Sequence, residues 1–112
     1  MTKPPLDLTQ MMQQAQELSA KLQDAQQELR HRRVEATVGG GVVTATVNGA
    51  SELVEIRIDP VAVDPRDVEM LQDLILAAVN EGVRRAQELA REELQRRTGL
   101  PIGAIFGALG QR

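Results

Sequence analysis

Residues 39–60 read GGGVVTATVNGASELVEIRIDP, and the way they alternate decides the fold. In residues 42–47 the set Val43, Ala45 and Val47 shares one face; in residues 53–58 the set is Val54, Ile56 and Ile58. Just upstream, Val34, Ala36 and Val38 repeat the pattern, while Thr, Glu and Arg take most of the opposite positions. A period of two with one apolar face predicts a one-sided antiparallel meander of three strands. Gly39-Gly40-Gly41 is expected to make the first turn, and Asn48-Gly49 to supply positive φ for the second. A phosphate-cradling loop is the rival use of those three glycines. A strand follows them rather than a helix N-terminus, and no Gly-Lys-Ser/Thr is present, so the turn reading is preferred.

On either side of the meander the period changes to that of a helix. Residues 8–30 hold no glycine or proline. Asp7 is placed to N-cap them, with Gln10 as a capping-box partner and Pro4-Pro5 marking the entry of the chain. Leu8, Met11, Ala15, Leu18, Leu22, Ala25 and Leu29 step alternately by three and four, which is a heptad seam narrower than an ordinary globular stripe. Such a seam wants cover, either from the chain's own sheet and second helix or from another molecule. Downstream, Asp59-Pro60 closes the sheet. Asp64 and Pro65 are read as N-cap and first residue of a second helix. Its broad stripe runs through Leu71, Leu74, Ile75, Ala78, Val79, Val83, Ala86, Ala90 and Leu94. Gly99 and Pro101 are placed to end it.

The fold class is therefore α+β: a long N-terminal helix, a three-stranded antiparallel meander and a long C-terminal helix. Residues 1–99 are expected to form one domain. Residues 100–112 form a glycine-rich apolar tail, read either as a flexible end or as an adhesive segment for a protein partner. At 1.5 Å per residue the two helices would span about 35 and 50 Å, against a radius of gyration of roughly 13 Å for a compact chain of this size. One small sheet cannot cover apolar stripes of that length. A two-fold homodimer is the expected solution.

Composition excludes several kinds of chemistry. Of 112 residues none is cysteine, His31 is the one histidine and Phe106 the one aromatic. Disulfides, thiolate metal sites and aromatic base-stacking platforms are thereby set aside. No apolar run is long enough for a membrane span, and residues 1–10 lack the apolar core of a signal peptide, so a cytoplasmic protein is expected. Glu52, Glu55, Asp59, Asp64 and Asp67 look like a carboxylate cluster but occupy strand-surface and cap positions. Neither an enzyme, nor a cofactor, nor a metal is expected.

What remains is basic. The net charge of −3 hides an uneven distribution, with residues 1–33 at +1, residues 34–83 at −7 and residues 84–112 at +3. Arg30, Arg32 and Arg33 flank His31 where the first helix meets the first strand. Arg84, Arg85 and Arg91 lie along the second helix, followed by Arg96 and Arg97. Arginine contacts phosphates bidentately, so Arg30, Arg32, Arg33, Arg84, Arg85 and Arg91 are the candidate DNA-backbone contacts. Glu28, Glu88, Glu92 and Glu93 are spaced to pair with some of them.

Four segments together resemble the YbaB/EbfC family of nucleoid-associated proteins: MMQQAQELSAKLQDAQQEL (residues 11–29), GGGVVTATVNG (39–49), VEIRIDP (54–60) and EMLQDLILAAVNEG (69–82). The chain departs from the family pattern at Gln72, where an acidic residue is common, and at Gly82, where alanine is usual. The resemblance implies a tweezer-like homodimer that binds DNA with low sequence preference, in the cytoplasm and at the nucleoid, and that modulates gene expression. The alternative is a dimeric interaction scaffold working through its helix seams or its tail, or a divergent member of the family without strong DNA binding.

Overall fold

The computed structural model describes residues 7–99, in the order α1 (Leu8–His31), β1 (Arg33–Val38), β2 (Val43–Asn48), β3 (Leu53–Ile58), a 3-10 turn (Pro60–Ala62) and α2 (Val68–Thr98). The strands form one antiparallel sheet in the order β1-β2-β3. The expected fold class is the observed one. Residues 100–112 and the Pro4-Pro5 entry lie outside the described residues.

Asp7 caps α1 as expected, its carboxylate accepting from the backbone N–H of Thr9 and Gln10. Gly99 ends α2 in the left-handed region, φ 70°, with its N–H on the Gln95 carbonyl at 2.8 Å. The start of α2 differs from expectation. The N-cap is Asp67, which accepts from Met70 N–H, and Asp64 instead caps a turn by accepting from the Arg66 N–H. Both aspartates suit a cap; the turn at Pro65-Arg66 gives the helix to the later one.

The second hairpin also differs. Gly49 does not have positive φ; Ser51 does, at 64°. The Asn48 side chain accepts from the N–H groups of Ala50 and Glu52 and so organises the loop itself. Gly49 is required for a different reason. Its N–H reaches the Leu29 carbonyl at 2.8 Å, and a Cβ there would lie 2.6 Å from that oxygen. The turn is thus pressed against the end of α1. The Gly39-Gly40-Gly41 turn behaves as expected, with positive φ at all three.

α2 packs over β1 and β2 and barely touches β3. Val43, Ala45 and Ala78 form the centre of the core. Gly82 lets the helix sit close, since a Cβ there would meet Val47 Cγ2 at 2.7 Å. The sheet is less one-sided than its alternation suggests, because all six residues of β2 are buried. Arg57 of β3 reaches over β2 to Glu35 of β1 at 3.4 Å and approaches Glu55 at 3.8 Å. This ionic roof shields Thr44 and Thr46, and Thr44 shares a hydroxyl hydrogen bond with Thr37. A register shift between Thr46 and Val47 pairs Val47 with Leu53. Val54 is displaced by this bulge and is exposed, unlike the half-buried Ile56 and Ile58 with which its alternation aligns it.

Elongation is the dominant feature. The helices hold 24 and 31 residues, the Cα radius of gyration is 20.6 Å and the extents are 83 × 32 × 16 Å. No helix among the described residues is long and apolar enough to cross a membrane.

Candidate nucleic-acid interface

α1 stops at His31 because Arg32 turns to extended geometry, φ −94° and ψ 143°, with its N–H on the Leu29 carbonyl. Arg30 and His31 occupy the last turn, where cations suit the negative end of the helix. Arg32 then reaches α2, placing Nη1 3.2 Å from Glu93 Oε2. Glu93 is 2% exposed and also accepts from Arg96 Nη2 at 2.5 Å and Arg97 Nε at 2.8 Å. Arg97 in turn pairs with Glu28 of α1. A buried carboxylate is stable only with such complete pairing. The pairs 28–97 and 32–93 run in opposite senses, so the helices are antiparallel here and are clamped by charge. The Arg96 guanidinium is held further into its charged state by the Glu93 hydrogen bond.

A second network lies farther back on α2. Arg84 takes both oxygens of Glu81, with Nη2 at 2.7 Å and Nε at 3.0 Å, and reaches Glu88 at 3.5 Å. Arg85 Nε also reaches Glu81 at 3.0 Å, and its Nη1 donates to the Glu35 carbonyl at 2.6 Å on the free edge of β1. The hydrogen bonds from Arg84 and then Arg85 hold the Glu81 carboxyl at about 2, well below the usual carboxylate range. Of the glutamates that the spacing offers, Glu28, Glu88 and Glu93 take such pairs and Glu92 has none among the described residues, while Glu81, which the spacing argument did not name, takes both Arg84 and Arg85.

The six candidate arginines do not form one surface. Arg85 reaches the edge of β1 at the Glu35 carbonyl, two residues along the strand from Arg33, while Arg32 turns to Glu93 on α2. Arg30 sits on the rim of a groove of about 380 Å³ shared with Leu29, Gly49, Ala90 and Leu94. Arg84 and Arg91 are seven apart on α2 and point away from the sheet-facing Ala78, Gly82 and Ala86. Among the described residues, Arg30, Arg33 and Arg91 have no ion-pair partner, whereas Arg32, Arg84 and Arg85 are engaged. Sequence reasoning did not single out Glu93 as a buried hub. Its signal was the pair of arginines three and four residues later.

Residues 3–100 match the profile of the YbaB/EbfC DNA-binding family. The chain belongs to this family. A nucleoid-associated protein of Moorella thermoacetica is 55% identical over 93 residues, 83% of this chain and 89% of that one. One from Chloroflexus aurantiacus is 50% identical over 90 residues, 80% of this chain and 90% of that one. The crystal structure of an uncharacterized protein from Helicobacter pylori superposes with a TM-score of 0.71, covering 94% of this chain and 99% of that one. At 22% identity that likeness speaks for the fold alone. Among the described residues, seven of the sixteen acidic side chains are paired with the chain's own arginines, and Arg30, Arg33 and Arg91 are left without an ion pair.

Proposed function

We propose that this chain is a nucleoid-associated protein that binds duplex DNA as a two-fold homodimer, through phosphate contacts and with little sequence preference, to organise the nucleoid and modulate expression. The observation that carries the reading is the unpaired state of Arg30, Arg33 and Arg91, among the described residues, amid arginines already committed to carboxylates. A free guanidinium binds phosphate bidentately without first breaking an internal pair. Arg32, Arg84 and Arg85 contribute secondarily, by exchanging a glutamate for a phosphate. Backbone contacts of this kind set position and carry no sequence information.

Dimerisation is supported by the uncovered half of the sheet. Arg85 places one flank of α2 against β1, so the opposite flank, with Leu76 and Val79, lies on the β3 side. There Ile56 and Ile58 are only half-covered, and Val61, Val63, Val68 and Leu76 are exposed. Apolar surface this continuous asks for a partner, and an isologous copy presents the same surface. In this reading the dimer doubles each arginine set.

Binding of a fluorescent duplex across a salt series tests the proposal, with light scattering on the same sample. A dimer is expected, with affinity falling steeply with salt. Arg33→Ala should remove one phosphate contact per subunit and lower the logarithmic salt slope by about 1.8 per dimer. A stable monomer, or no binding at low salt, would refute it.

A further inference from the structure

We propose that residues 100–112 of the same chain dock on the exposed seam of α1, between Leu22 and Met11, and cover it. The proposal is independent of DNA binding. Every residue from 8 to 21 is exposed, although the seam through Leu8, Met11, Ala15 and Leu18 continues without a break into Ala25 and Leu29, which are buried against the rest of the fold. The end of α2 lies beside that transition, because Arg97 pairs with Glu28. From residue 21 back to residue 8 α1 runs on exposed, roughly 20 Å at 1.5 Å per residue. Gly99, with φ 70°, turns the chain out of α2 at the place where the bare seam begins.

The segment beyond Gly99 fits that seam in length and pattern. Ile102, Ile105, Phe106 and Leu109 recur at i, i+3, i+4 and i+7, which is one apolar helix face. That face covers two turns, the same distance as Leu22 to Ala15 on α1. Pro101 starts a new helix favourably and cannot continue the old one. Gly103, Gly107 and Gly110 each cost roughly 1 kcal/mol relative to alanine in a helix, so such a helix needs a surface to form on. They also let the segment approach α1 closely. The docked tail replaces the cover that α2 provides for Ala25 and Leu29.

The absence of native cysteine makes a direct test possible. Leu18→Cys and Ile105→Cys introduced together in the full chain are expected to form a disulfide within one chain under mild oxidation. A mixture of the two single-cysteine chains is expected to give no cross-linked pair. In parallel, Phe106→Asp should speed hydrogen exchange of the amides of residues 12–22 by about tenfold, while β2 stays protected. A disulfide joining two chains would assign the seam to a second copy and overturn the proposal. So would exchange in the arm that is unchanged by Phe106→Asp, whatever the oxidation gives.

Discussion

The two ends of α1 carry one pattern and meet opposite fates. Ala25 and Leu29 are 0% and 3% exposed, while Met11 and Leu8, in the same heptad seam, are 47% and 69% exposed. The root is enclosed by Gly49, whose N–H holds the Leu29 carbonyl, by Ala90 and Leu94 of α2, and by the Glu93 clamp. The arm has none of these. A seam records that a face is to be covered; only tertiary position says where the cover ends. Packing therefore supplies the stability of the root, while the arm is free to serve a ligand, a tail or a partner.

Paired truncations give the largest expected effect and would break the comparison if it were wrong. Leu29→Ala opens a cavity beside a backbone that cannot collapse inward, since Gly49 is already in contact with the Leu29 carbonyl and side chain. It should cost about 3 kcal/mol. Leu8→Ala should stay within roughly 0.5 kcal/mol of the parent. Chemical denaturation measures both, and equal losses would show that the arm is as well packed as the root.

The contrast between root and arm also explains how much of the molecule is legible in its sequence. Strand alternation and the glycine stop of α2 are local signals, and residues 33–58 and Gly99 fall close to where they point. The misreadings at Gly49 and in the arginine set come from long-range contact, and the one at Asp64 from a local choice between two caps. The Asn48-Gly49 pair signals a turn glycine, yet the end of α1 needs Gly49 for close approach, so Asn48 and Ser51 take over the loop geometry. Asp64 and Asp67 compete for one cap, and local chemistry does not rank them. In the arginine set, composition shows the charge but not its state. Arg32 is neutralised by Glu93, 61 residues away, while its neighbour Arg33 has no ion-pair partner among the described residues.

A second test sharpens the comparison on the sheet side of the root. Gly82→Ala brings a Cβ within 2.7 Å of Val47 Cγ2, and Val47 is completely buried on the central strand. Helix propensity favours alanine by about 1 kcal/mol, but overpacking costs roughly 1–3 kcal/mol. The expected net loss is about 1 kcal/mol, measured by denaturation. Val47→Ala in the same chain should remove the clash, so the double variant should lose less than the two single losses added. Strict additivity would mean that α2 shifts away instead, and that the root is looser than its contacts indicate.

The smallest effect separates charge from packing. Glu81 on α2 is held by Arg84 and Arg85, whereas Glu17 on the arm has no ion-pair partner among the described residues. The Glu81 carboxyl titrates at about 2, below its ordinary value of 4.5. Because its folded value is depressed, its contribution to stability is complete above pH 4.5 and disappears as pH falls to about 2. Carbon-detected NMR should find the Glu81 midpoint near the lower limit, and Arg84→Ala with Arg85→Ala should move it upward. The same double substitution should leave the arm's exchange rates unchanged, because nothing in this network reaches residues 8–21. A midpoint that stays low without the two guanidinium groups would transfer its cause from ion pairing to the fold itself, and the root would then owe less to surface charge than its geometry indicates.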